Sequence, residues 1–208
     1  LIEGPKWCGK TTTAEQQAHS VIKLQDPDMR GAYLATAEAK PSNLLKGETP
    51  RLIDEWQDAP ILWDAVRTEI DKRGGEAGQF ILTGSNSVDE TQINHSGTGR
   101  ISRMKMYPMS LFESGESSGE ISLLDLFDHP EMEIDGIMSN VGINDLIRFA
   151  CRGGWPAALK LHNFKESFRI AKDYLEGVVE SDIIKVDGVR RNPRLALAII
   201  KSYARNLC

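Results

Sequence analysis

Gly4-Pro5-Lys6-Trp7-Cys8-Gly9-Lys10-Thr11, directly after Leu1-Ile2-Glu3, constrains the fold of this chain more than any other stretch. Two glycines at this spacing let successive backbone N–H groups turn inward as an anion nest, with no β-carbon blocking the approach. A helix starting near Lys10 adds its positive end to the same point. Between a strand and a helix, G-x-x-x-x-G-K-[ST] is a phosphate-binding loop. Leu1-Ile2-Glu3 reads as the tail of a buried strand, and Ala14, Ala18, Val21 and Ile22 follow at helical spacing. Lys10 is then placed to reach the β and γ phosphates of a nucleotide, and Thr11 to offer its hydroxyl to magnesium. The competing explanation of the same letters is a glycine turn before a lysine-capped helix.

A second signal supports the first. Arg51-Leu52-Ile53-Asp54-Glu55 is a short apolar strand that ends in two acids, and parallel α/β sheets gather ligands at the carboxyl ends of their strands. Asp54 there can hold hydrated magnesium, and Glu55 can polarise a water for attack on the γ-phosphate. A hydrolase needs that second acid, whereas a kinase can leave the role to its acceptor. Gln79 to Thr83 is another apolar strand, followed by Gly84-Ser85-Asn86. Ser85 and Asn86, with Thr83 behind them, are the candidates for holding the attacking water; the alternative is a simple Gly-Ser-Asn turn. Arg100, at the entrance of an apolar stretch from Ile101 to Tyr107, and Arg103 are candidates for an arginine finger directed at a neighbouring subunit's γ-phosphate. Both could instead pair with surface acids.

Composition narrows the class. With 40% hydrophobic and 26% charged residues, the 208-residue chain can bury one sizeable core, or one core and a smaller second unit. A formal charge of −5 gives no global basic footprint for nucleic acid or anionic lipid. Cys8, Cys151 and Cys208 are too dispersed for a zinc site or a disulfide framework, which suits a reducing cytoplasm. His19, His95, His129 and His162 are likewise scattered and are assigned no metal. No apolar run is long enough to span a bilayer and no signal peptide is visible. Because the first residue is not methionine and falls inside an expected strand, the chain is read as a fragment.

The first half alternates strands and helices, the pattern of a parallel sheet covered on both faces. Five strands are expected: Leu1 to Glu3, Ala32 to Thr36, Arg51 to Asp54, Gln79 to Thr83 and Ile101 to Tyr107. Leu62, Ala65, Val66 and Ile70 mark a helix that stops at Gly74-Gly75. A Ser/Gly/Glu-rich stretch, Glu113 to Glu120, marks a boundary, and the chain then turns helical. Ile143 to Ala150, Phe168 to Val179 and Leu195 to Tyr203 each carry an apolar face, the last opened by Asn192-Pro193 as cap and first-turn proline.

With these residues in place, the chain resembles a family of bacterial and archaeal AAA-type P-loop ATPases that carry a C-terminal domain of unknown function. The resemblance rests on GPKWCGKTT, LIDEWQDAP, GQFILTGSN, GRISRMKMYPMSLFESGE, CRGGWPAAL and DYLEGVVESDI, in that order across nearly the whole chain. It implies a three-layer α/β/α additional-strand P-loop core with strand order 5-1-4-3-2 over residues 1–113. A helical lid over 120–188 and the start of a winged helix over 189–208, cut off at Cys208, would follow. It also implies that Gly4, Pro5, Lys6, Trp7, Cys8, Gly9, Lys10, Thr11 and Thr12 contact phosphate, and that Thr11 and Asp54 serve magnesium. Glu55 would activate water, Ser85 or Asn86 would act as sensor, and Arg100 is the matching arginine. Gly154, Trp155 and Pro156 are similar to a lid segment that touches adenine in signal-transducing P-loop switches; a helix break packed into the lid is the plainer alternative.

The expectation is therefore a cytoplasmic, magnesium-dependent ATPase using ATP and ADP, alone, as a homo-oligomer or with a protein partner. Its rivals are a slow nucleotide-operated switch, a small-molecule kinase and a DNA-associated ATPase acting through the missing winged helix.

Overall fold

A computed structural model describes residues 1–84, 97–161, 163–183 and 191–206. The chain divides into two compact units, residues 1–107 and 108–208.

The first unit is built on five parallel strands, β1 (Ile2–Glu3), β2 (Ser20–Lys23), β3 (Arg51–Asp54), β4 (Phe80–Gly84) and β5 (Met104–Lys105). Helices α1 (Lys10–Glu15), α2 (Arg30–Ala39) and α3 (Ile61–Lys72) lie in the connections. The sheet runs β2-β3-β4-β1-β5, the expected order 5-1-4-3-2 written from the opposite edge. Ile53 joins a core of Ile22, Leu24, Leu62, Trp63, Val66 and Leu82, in which the rings of Trp56 and Trp63 lie 4.9 Å apart. Leu52, its neighbour on the strand, is equally buried yet lies outside that cluster. Successive strand residues point to opposite faces, so β3 is covered on both, as a parallel sheet requires.

Two expected elements are corrected. Residues 32–36 are not a strand but the middle of α2, and the second strand is Ser20–Lys23. Four alanines and a leucine in Arg30–Ala39 favour helix over the strand suggested by Tyr33 and Thr36. Conversely, α1 ends after six residues, so Val21 and Ile22 do not continue its stripe. They pair with Leu52 and Ile53 in β2, where β-branched side chains are well accommodated. The fifth strand, expected over Ile101 to Tyr107, is also shorter than expected and forms only at Met104–Lys105. By contrast α3 covers its expected stripe and stops before Gly74 and Gly75, both with left-handed φ.

Register positions the site. Asp54 pairs with Thr83 and Thr83 with Ile2, so β3, β4 and β1 end side by side with the Gly4–Gly9 loop above them.

The second unit is helical: α4 (Leu123–Asp128), α5 (Ile143–Arg152), α6 (Pro156–Leu159), α7 (Phe164–Gly177) running into a π turn at Val178–Asp182, and α8 (Pro193–Asn206). Local capping sets its boundaries. Ser122 Oγ accepts from Asp125 N, Asn163 Oδ1 from Lys165 N and Asn192 Oδ1 from Arg194 N. Gly153, at φ 73°, ends α5. Among the described residues of this unit only Ala158, Ser167 and Val179 are fully buried.

Candidate functional site

The loop between β1 and α1 has the backbone its glycines foretell, with one addition. A β-carbon on Gly4 would sit 2.2 Å from Met106 O, so no larger residue fits against β5. Gly9 adopts φ 103°, and Trp7, which is not a glycine, adopts φ 63°. A left-handed tryptophan costs roughly 1–3 kcal/mol and persists only where its surroundings over-determine it. Cys8 is buried, while Lys6, Trp7 and Thr12 are exposed.

Lys10 is only 7% exposed, and its Nζ donates to Gly4 O at 3.0 Å and Pro5 O at 2.9 Å. Its ammonium thus lies inside the loop, held by two neutral carbonyls and, among the described residues, by no carboxylate. A buried cation in that state carries uncompensated charge, and an anion delivered to the loop would relieve it.

Asp54, the last residue of β3, is 8% exposed. Its Oδ1 accepts from Thr11 Oγ1 at 2.7 Å and also from Thr83 Oγ1. The first bond ties the lysine loop to the acidic strand tip across 43 residues of sequence. The second explains Thr83, named from sequence only as standing behind Ser85 and Asn86. Those two residues lie outside the described residues. One hydroxyl and one carboxylate form a hard-oxygen donor set that fits magnesium, which takes one or two protein oxygens and completes its shell with water and phosphate. Thr11 and Asp54 are the residues that would hold it.

Glu55 follows at φ 57° and ψ 48°, a left-handed conformation that turns the chain sharply off β3. Its Oε2 accepts from Gln57 Nε2, while Gln57 Oε1 is buried with no hydrogen-bond partner. Gly84 makes room for that amide, since a β-carbon there would stand 2.5 Å from Gln57 Oε1. Gln57 is the residue that sequence reasoning missed. Its only signal was its place two residues after the acid.

The arginines are paired. Arg100 Nε donates to Asp71 Oδ1 at 2.9 Å in a half-exposed pair, and Arg103 reaches Glu3 at 3.1 Å with its guanidinium over the Trp63 ring. Beside the strand ends, Lys23 pairs with Glu15 at 2.6 Å, and its pKa is raised by that hydrogen bond first, with the charge of Asp54 adding a smaller push. In the second unit, Gly154 O accepts from Met109 N at 2.7 Å, Trp155 lies 4.3 Å from the Tyr174 ring, and Pro156 opens α6. This segment forms a tight corner between α5 and α6.

A parallel α/β sheet with a glycine-lysine loop after β1 and an acid on the tip of β3 is compatible with the class of P-loop nucleotide-binding proteins. Residues 1–114, more than half of the chain, match the AAA domain family, and the chain belongs to that family. Membership points to nucleotide binding of the ATPase kind. Residues 143–207 match a domain of unknown function (DUF8612), which spans both the expected lid helices and the first residues of the expected winged helix. No curated protein matches the chain. Among the described residues no helix is long and apolar enough to cross a membrane.

Proposed function

We propose that the first unit binds ATP with magnesium and hydrolyses it. The observation that carries this reading is the buried Lys10 ammonium, held only by carbonyl oxygens, one residue from a Thr11 hydroxyl bonded to Asp54. Lys10 exchanges its carbonyl partners for phosphate oxygens, and backbone N–H groups of the loop supply the remaining donors. Thr11 and Asp54 would hold the metal, which would supply neutralisation of phosphate charge. Glu55 takes the proton of the attacking water, and Thr83 keeps the Asp54 carboxylate in place. Arg100 is assigned to the γ-phosphate of a neighbouring subunit; its half-exposed pair with Asp71 contributes little and is readily exchanged.

A slow nucleotide-operated switch is the second reading, favoured by the bond from Gln57 to Glu55, which occupies the carboxylate that must receive the proton.

Steady-state turnover and nucleotide affinity, measured on the same variants, test the proposal. Lys10→Ala is expected to lose nucleotide binding. Glu55→Gln should keep binding and lower kcat about 10²–10⁴-fold, as expected for a lost general base. Arg100→Ala should lower kcat with binding intact. Turnover by Glu55→Gln equal to wild type would remove Glu55 from the mechanism. A wild-type rate at background with tight ADP retention would favour the switch.

A further inference from the structure

The 42 positions between Lys105 and Arg148 contain nine acids and no lysine or arginine, whereas from Arg148 onwards the chain has twelve basic residues and six acids. The structure gives this asymmetry a surface. In the second unit a groove of about 460 Å³ is lined by Leu111, Ile121, Ile137 and Val141, with Met138 at its edge. Apolar side chains continue outwards from it along α4 and the segment after it, with Phe127 74% and Met138 84% exposed. Glu120 lines the groove, and Asp128 and Glu133 stand exposed in the same segment. Among the described residues none of these three acids forms an ion pair. Glu113 and Glu116 do not contribute, because the first accepts from the N–H and hydroxyl of Ser110 and the second pairs with Arg152. Large exposed apolar surfaces on a folded chain mark interaction sites, and acids around this one repel nucleic acid and anionic lipid.

The complement is present in the same sequence. Helix α8 (Pro193–Asn206) has Arg194, Lys201 and Arg205 and no acid, and it exposes Leu195, Ile199 and Tyr203 four residues apart on one face. It is a basic amphipathic helix with an open apolar stripe, the chemistry accepted by an apolar groove that has Glu120 in its lining and further acids on the exposed segment that follows it.

We propose that copies of this chain associate head to tail, the α8 helix of one seated in the acidic apolar groove of the next. The contact is heterologous: each copy offers one helix and one groove, so pairing leaves a helix and a groove open for further copies. It is independent of nucleotide chemistry.

Sedimentation velocity of the whole chain, from about 1 to about 200 µM at low and high salt, tests this. Wild type should self-associate, less so at high salt. Charge reversal of the acidic surface (Glu120→Lys in the groove with Asp128→Lys on α4) or of the helix (Arg194→Glu with Lys201→Glu) should each weaken association at least about tenfold. All four residues are exposed, so the fold is retained, which circular dichroism checks. The decisive sample is an equimolar mixture of the two variants. The groove-reversed chain keeps an intact helix and the helix-reversed chain an intact groove, and the two reversed surfaces, Lys against Glu, are again complementary, so the association lost by each variant alone should return in the mixture. A wild type that stays monomeric overturns the proposal, as does association that neither reversal alters or a mixture that does not pair. A monomeric chain that binds polylysine through Glu120 and Asp128 would assign the groove to a foreign basic partner and overturn it equally.

Discussion

Glu55 shows how one residue can be unfavourable for the fold and still be required. At φ 57° its side chain crowds its own backbone, a cost of roughly 1–3 kcal/mol that glycine would not incur. The same turn carries the residue off the end of β3, where its carboxylate meets Gln57. Glu55→Gly is therefore expected to raise stability by about 0.5–1 kcal/mol, or a few degrees in Tm, while lowering kcat about 10²–10⁴-fold. Glu55→Ala, which keeps the left-handed strain and loses the carboxylate, should lower kcat to the same extent without the gain. Thermal unfolding of both variants beside wild type separates strain from chemistry. At this scale the sequence was informative where chemistry and spacing coincide: Lys10, Thr11 and Asp54 stand at motif positions, and the structure brings Thr11 and Asp54 into contact. Gln57 and the bond from Thr83 to Asp54 were not legible, because both depend on strand register and a turn conformation that no spacing encodes.

Elements were read well where burial imposed a period and poorly where it did not. Helix α3 buries Leu62, Trp63 and Val66 on one face, and its glycine stop was visible beforehand. Strand β2 buries only Ile22 at the sheet edge, so it carries half a pattern, and the alanine-rich α2 beside it was mistaken for a strand. In the second unit the Ser110 to Glu120 turn is held to α5 by Arg152 and Glu116 at 2.7 Å. Burial pushes the Glu116 carboxyl up, but the guanidinium and the Ser114 hydroxyl more than offset it, and the group ends below its ordinary value. A carboxyl lowered on folding contributes stability that is complete at neutral pH and is lost as pH falls through its folded pKa. Glu116→Gln should accordingly destabilise the chain by about 0.5–1 kcal/mol near pH 7, and the deficit should shrink towards about pH 3. Tm measured against pH for both proteins checks the sign. A deficit that grew on acidification would contradict it.

At the scale of the whole molecule, the two units differ in how they use their apolar residues. The first encloses them around a sheet covered on both faces, which fixes the strand tips and hence the distances at Thr11 and Asp54. The second leaves many on its surface, beside acids in one region and beside bases on α8, an arrangement suited to association. The change from alternating elements to helices could be read from the sequence, but the groove could not, since it is assembled from residues 30 positions apart. The central claim is that Thr11 and Asp54 form a metal-assisted phosphate site with Lys10. The most direct measurement is the affinity of a fluorescent ATP analogue, with and without magnesium, for wild type and Asp54→Asn. Wild type should bind at least about tenfold more tightly with magnesium, and Asp54→Asn should bind with little or no such gain. Equal magnesium dependence in the two proteins, or no binding by wild type, would contradict the proposed site.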